Sequence, residues 1–299
     1  MRVTITGATG RIGRRLVAAL KRRGDEVTVL SRDPERAGRQ LRVEAFAWNL
    51  EQEAAPSQAL AGRDAVVHLA GEDVGQRWSA AVKAAIRDSR EHGTRNLVQG
   101  ISDAEPRPRA LICASASGYY GRHGDELVDE SVASGRDWLA EVVARWERQA
   151  ATAEVVTRTV LVRTGIVLDA GGGALARMLP FFKAGIGGPI GSGRQYLPWI
   201  HLDDLVGIYR AAIDNERFHG AVNASAPEPV TNKAFAKALG RALHRPAVMP
   251  VPAVTIRLLY GEMSQIVLDG VRMVPGRAGE LGYEFEHPDL DEALRSTLT

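Results

Sequence analysis

Gly7, Gly10 and Gly13 stand at three-residue spacing in TGATGRIG (6–13). A short run rich in β-branched residues (2–6) precedes them and a helical pattern (16–23) follows. Glycines so placed let the backbone approach a pyrophosphate, whose charge is met by the free N–H groups of a helix N-terminus. A glycine triplet alone marks only turns, but the strand before and the helix after supply the context that a dinucleotide site requires. Thr9, Arg11 and Ile12 in the same turn complete the expected phosphate contacts. The next strand (26–30) ends in Ser31 and Arg32. A site for NAD carries Asp or Glu there to hold the ribose 2′-OH. Arginine instead pairs with a 2′-phosphate through its forked donors, and the serine hydroxyl adds a hydrogen bond. Asp33 lies one residue beyond the usual ribose position, and only its place distinguishes Arg32 from the other arginines. The cofactor expected is NADP(H). HLAG (68–71) ends a further strand, so Leu69, Ala70 and Gly71 are expected on the adenosine side, against the carboxyl ends of the strands. His68 itself reads as a packed strand residue.

SASGYYG (115–121) follows another apolar strand. Ser115 and Ser117 are candidates to hold a substrate carbonyl oxygen, and Tyr119 or Tyr120 to give or take a proton. Two aromatics after a glycine read equally well as loop packing. A tyrosine with a lysine four residues later would be a ready acid/base pair. The residues four beyond the six tyrosines are His123, Gly124, Ile200, Ile213, Ser264 and His287, and none is lysine. In GGPIGSGRQYLPWIHLDDL (187–205), Arg194, Gln195 and Tyr196 are candidates for a polar group of a small-molecule substrate. Asp203 suits a helix cap there. No G-x-S-x-G elbow occurs, and no histidines or cysteines pair at metal-ligand spacing, so neither hydrolase chemistry nor a metal is expected.

The elements that position these residues alternate. Apolar strands are read at 2–6, 26–30, 41–48, 64–71, 109–115 and 154–165, with long helices at 79–99 and 138–151. That order predicts an α/β fold, a doubly wound parallel sheet of Rossmann type. After residue 165 the chain turns glycine-rich, then helical patterns return at 175–183, 203–215 and 232–243, before a proline-marked tail with one more helix and a loose, polar end. No repeat or low-complexity linker separates the parts, so the second region is expected to pack on the first.

The 299 residues carry 38 Lys+Arg against 36 Asp+Glu, with 45% hydrophobic residues. That composition excludes disorder, a disulfide scaffold and a collagen-like fibre. The near-neutral balance gives no reason to expect nucleic acid as a partner. A lone cysteine, Cys113, fits a reducing compartment, and no run of 18 apolar residues exists, so a cytoplasmic protein without a membrane partner is expected. Only five of the cations are lysines: Lys21, Lys83, Lys183, Lys233 and Lys237.

With TGATGRIG, Ser31-Arg32, HLAGE (68–72), SASGYYG, LVRTGIVL (161–168), GGPIGSGRQYLPWIH and ALHRPA (242–247), the chain resembles the extended short-chain dehydrogenase/reductases. Among these it is most similar to the atypical group called the epimerase family. The resemblance spans nearly the whole chain. It implies a Rossmann domain over residues 1–167, to which 195–226 return, and a smaller substrate region formed by 168–194 and 227–299. It also implies NADP(H) as cofactor, with Arg90 and Val167 joining the contacts, and a homodimer paired through the two long helices. The group's relatives carry the Tyr-Lys pair in the helix that reads WLAEVVARWE (138–147) here, without a tyrosine. Two readings of function follow. One is an NADP(H)-dependent oxidoreductase or nucleotide-sugar epimerase of unknown substrate. The other is a non-catalytic NADPH-binding redox sensor or assembly factor.

Overall fold

The computed structural model describes all residues, 1–299. Elements run in the order β1 (Arg2–Thr6), α1 (Arg11–Arg23), β2 (Glu26–Ser31), α2 (Pro34–Leu41), β3 (Glu44–Ala47), α3 (Ser57–Leu60), β4 (Ala65–His68) and α4 (Ala80–Asp103). There follow β5 (Ala110–Ala116), β6 (Leu127–Val128), α5 (Trp138–Ala151), β7 (Arg158–Thr164), β8 (Ile166–Leu168), α6 (Gly173–Lys183), β9 (Tyr196–Leu197), β10 (Trp199–His201) and α7 (Leu202–Asp214). The chain ends with β11 (Gly220–Ala224), β12 (Val230–Thr231), α8 (Asn232–Ala242), α9 (Ala253–Tyr260), α10 (Gln265–Leu268), β13 (Arg272–Met273), α11 (Gly276–Glu280) and α12 (Leu290–Leu298).

Seven parallel strands form one sheet in the order β11-β7-β5-β4-β1-β2-β3. Its strands read as continuous apolar runs because helices cover both faces. Leu16, Val17 and Leu20 of α1 and Leu205, Ile208 and Tyr209 of α7 bury one face. Leu97 and Ile101 of α4 and Trp146 and Ala150 of α5 bury the other. Strand order reverses beside β1, whose neighbours are β2 and β4, and this switch point opens a crevice at the carboxyl ends.

A second core joins Leu179 and Phe182 of α6, Phe235 and Leu239 of α8, and Leu290 and Leu294 of α12 around Trp199. The polar tail is therefore not loose: α12 is capped by Asp289 and anchored by its leucines. Two other local expectations are corrected. Residues 34–41 form a helix, started by the Asp33 side chain on the Arg36 N–H with Pro34 in the first turn, so the strand expected over 41–48 shrinks to β3. Residues Thr152–Val155 form a 3-10 turn, and the strand expected from 154 starts at Arg158.

Candidate functional site

At the switch point, Gly7, Thr9 and Gly10, Ser31 and Arg32, and Leu69, Ala70 and Gly71 line one cavity of about 300 Å³. They come from the carboxyl ends of β1, β2 and β4. Glycine is required here for space. Gly7 has φ +67°, and a Cβ on it would stand 2.7 Å from the Ala70 nitrogen. A Cβ on Gly13 would stand 2.5 Å from the Gly7 oxygen, so Gly13 lies under the turn and lets α1 begin directly behind it. The N-cap of α1 is Gly10, with no side-chain cap and no acidic residue in the first turn. The cradle is thus bare, with N–H groups free for an anion. That donor set, together with the exposed Arg32 guanidinium, fits the diphosphate and 2′-phosphate of a dinucleotide.

Arg11, Ile12, Arg90 and Val167, also expected at the cofactor, do not line this cavity. Arg11 turns aside to Asp169, holding that carboxyl below the usual range, while Ile12 and Val167 pack on the core beneath. Arg90 lies over the Trp146 ring and donates to the carbonyls of Glu72 and Ile86, at 3.0 and 3.1 Å. Its guanidinium carbon is 3.5 Å from where a Gly71 Cβ would be, and burial draws its pKa down to about 10. His68 is fully buried at the end of β4, with Nδ1 2.7 Å from the Thr6 hydroxyl, and burial lowers its pKa to about 4.

A second cavity, of about 230 Å³, opens at the carboxyl ends of the neighbouring β5 and β7, at Ala116–Gly118 and Thr164–Gly165. The loop after β4 serves both: Leu69–Glu72 line the first cavity, Val74 and Trp78 the second. Ser117 lies on its floor, and its hydroxyl makes no hydrogen bond within the protein. Tyr196 lines a wall. Arg194 and Gln195, expected beside it, do not: Arg194 is exposed, and the Gln195 amide donates to the carbonyls of Ile190 and Val267.

The remaining acid/base candidates are turned away from this cavity by a buried network. Ser115 donates to Glu147 Oε1 at 2.5 Å, and Glu147 holds Arg163 through two further bonds of 2.9 and 2.8 Å. Arg163 donates to the Tyr120 hydroxyl at 2.9 Å, which donates to Asn223 Oδ1 at 2.6 Å. Tyr120 is wholly buried, and burial raises its pKa to about 12. The Arg163 guanidinium also lies 3.5 Å from the Tyr119 ring centroid. Ser115, Glu147, Arg163, Tyr120 and Asn223 are occupied in joining β5, α5, β7 and β11, whereas Tyr119 contributes its ring to this network and its hydroxyl makes no hydrogen bond within the protein. Where α5 meets the floor, it presents Leu139 and, four residues on, Val143, both against Gly118.

The model of the NAD dependent epimerase/dehydratase family matches residues 3–224, and a domain of unknown function, DUF1731, matches residues 251–297. The chain belongs to the NAD dependent epimerase/dehydratase family. Among curated relatives, the chloroplastic homolog of epimerase family protein SDR39U1 from Arabidopsis thaliana is 41% identical over 301 residues, covering 100% of this chain and 87% of the relative. The crystal structure of human epimerase family protein SDR39U1, isoform 2, with NADPH is 35% identical with a TM-score of 0.90, over 99% of both chains. The structure of a nucleoside-diphosphate sugar epimerase from Corynebacterium glutamicum is 33% identical with a TM-score of 0.79, over 100% of this chain and 58% of that one.

Within this epimerase/dehydratase chain, several cavity residues escaped the sequence reading. Trp48, Leu50 and Glu51, just after β3, line the first cavity, as do Glu72 and Ser89. A tryptophan ending a strand on the crevice side was the available signal. Glu147 was also missed, although a carboxylate on the inward stripe of Val143, Trp146 and Ala150 announces a buried partner. Across 86 residues of sequence, where no ligand spacing could be read, His201, Asp203 and His287 bring ligand atoms within 4.8 Å of one another. Two of the three have other work. His201 Nδ1 accepts the Asp203 N–H at 3.1 Å and so caps α7, a role expected of Asp203, while Asp203 holds Arg15 at 2.7 Å. No helix is long and apolar enough to cross a membrane.

Proposed function

We propose that this protein is an NADP(H)-dependent oxidoreductase that works on a small carbonyl or alcohol substrate without a Tyr-Lys pair. One observation carries the reading: a bare phosphate cradle and a second, mostly hydrocarbon-walled cavity lie side by side along the carboxyl edge of one sheet, with a free serine hydroxyl in the second. The human relative crystallised with NADPH supports the same cofactor here. Gly7–Gly13 and the N-terminus of α1 would hold the diphosphate, and Ser31 and Arg32 the 2′-phosphate. Leu69–Gly71 would flank the adenosine, with Arg90 beneath Gly71. When bound, the nicotinamide supplies or accepts a hydride.

The chain's own residues then do the rest. Ser117 donates a hydrogen bond to the substrate oxygen and stabilises the negative charge that grows there. The proton reaches that oxygen through Ser117 from solvent at the rim, where Asp137 and Tyr196 also line the cavity. Residues 1–167 and 195–226 carry the cofactor in this reading, and 168–194 with 227–299 close the substrate side. A pure sensor has less need of a second cavity with a free hydroxyl beside the cofactor cleft.

The test is deuterium transfer from 4-deuterated NADPH to a panel of aldehydes and ketones, read by mass spectrometry. Deuterated alcohol is expected, with turnover falling about ten- to a hundredfold in Ser117→Ala while NADPH affinity is kept. A folded, NADPH-loaded protein that transfers no label to any carbonyl compound contradicts the reading in favour of a sensor.

A further inference from the structure

Resting on that reading, we infer that the second cavity takes an uncharged, largely apolar carbonyl compound and excludes nucleoside-diphosphate sugars. Its walls are Val74, Trp78, Leu139, Ile166, Ile266 and Val271. Three lining residues are charged: Asp137, Asp269 and Arg122, a net charge of −1. Arg122 reaches into solvent, with its side chain 79% exposed, and stands 4.0 Å from Asp269. None of the five lysines lines the cavity.

A diphosphate needs forked cations or an uncapped helix N-terminus. The first cavity has both, in Arg32 and the bare start of α1. At the second cavity the nearby helix start is closed instead: the Asp137 carboxylate accepts the Ala140 N–H at 3.0 Å and adds its negative charge. A diphosphate brought there would meet carboxylates and hydrocarbon. Leu139 and Val143 belong to the same design, since the i and i+4 positions of α5 that meet the floor are hydrocarbon. An apolar body between Trp78 and Leu139, with one oxygen on Ser117, matches the hydrocarbon walls and leaves the polar groups Asp137, Tyr196 and Gln265 to water.

Calorimetry on the NADP⁺-saturated full chain tests this with acetophenone, UDP-glucose and UDP as probes. Acetophenone is expected to bind, and neither uridine compound to bind at millimolar concentration. Ile266→Lys is expected to weaken acetophenone about tenfold or more while NADP⁺ binds as before, which shows that the variant is folded. Should that variant fail to fold, Val74→Lys, on the loop, gives the same readout. UDP-glucose or UDP binding more tightly than acetophenone overturns the inference. So does an unbound acetophenone, or one indifferent to both lysine variants. Acetophenone binding with no oxidation of NADPH would remove the oxidoreductase reading and leave the apolar site standing. Turnover of UDP-glucose would do the reverse.

Discussion

The two cavities share an edge of one sheet and are built from different materials. The phosphate end of the first is made chiefly of backbone. Its glycines clear a path and the first N–H groups of α1 are left uncapped, while Ser31, Arg32, Trp48, Glu51, Glu72 and Ser89 add side chains around it. The second is made of side chains from six separate stretches of chain: the loop after β4, the turn after β5, the start of α5, the passage from β7 into β8, the strand β9 with Pro198, and the segment around α10. A backbone site has to be written into consecutive residues, because turn geometry is local. A side-chain site is assembled by the fold, and its members need only meet in space.

Breaking the framework beneath the second cavity has the largest expected effect. Glu147→Ala leaves Arg163, whose side chain is 5% exposed, as a buried charge without its partner. A loss of about 3–5 kcal/mol in urea unfolding is expected. Ser117→Ala, just past the end of β5, is expected to change stability by no more than about 0.5 kcal/mol. Equal and small effects at the two positions would return Ser115 and Tyr120 to the list of groups free for chemistry.

Gly13→Val strikes the first cavity. Its Cβ would meet backbone atoms of Gly7 and Ala8 that have nowhere to go, and about 3 kcal/mol of cofactor affinity is expected to vanish. Calorimetry with NADPH, beside a circular dichroism spectrum showing a folded chain, checks it. Retained affinity would mean that the cradle is more pliant than its contacts imply.

His68, under the same cavity, sharpens the comparison through pH. Burial lowers its pKa from 6.5 to about 4, so the folded protein keeps it neutral where the unfolded chain is already protonated. Stability from this group is full above pH 6.5 and declines as pH falls toward 4, by up to about 3 kcal/mol. His68→Asn is expected to flatten the urea midpoint across that range, and an unchanged slope would assign the acid lability elsewhere.

The same division decides how much was legible in the sequence. Gly7, Gly10 and Gly13 could be read because strand, turn and helix succeed one another without a gap, and Ser31 and Arg32 because a strand end has a fixed place in a doubly wound sheet. Ser117 was legible only as one of four candidates. Nothing local separates it from Ser115, yet β5 ends at Ala116, so Ser115 stays in the strand and bonds Glu147 while Ser117 opens the 3-10 turn that follows. Arg194 looked like a ligand group because charge in a glycine-rich loop draws attention, but it points to solvent. Trp78 and Ile266 were out of reach, being 188 residues apart and joined only by the folded chain. The helix over 34–41 was hidden by a weak start signal, Asp-Pro, that reads equally well as a turn.

The most direct test of the cofactor claim, on which both cavities depend, is a pair of dissociation constants, for NADPH and NADH, measured by calorimetry on the native chain and on Arg32→Asp. The native chain is expected to prefer NADPH by about ten- to a hundredfold, since charge-assisted bonds to a phosphate are worth roughly 1.5–3 kcal/mol. The variant is expected to lose or reverse that preference with NADH binding intact. Equal affinity of the native chain for the two cofactors would contradict the account.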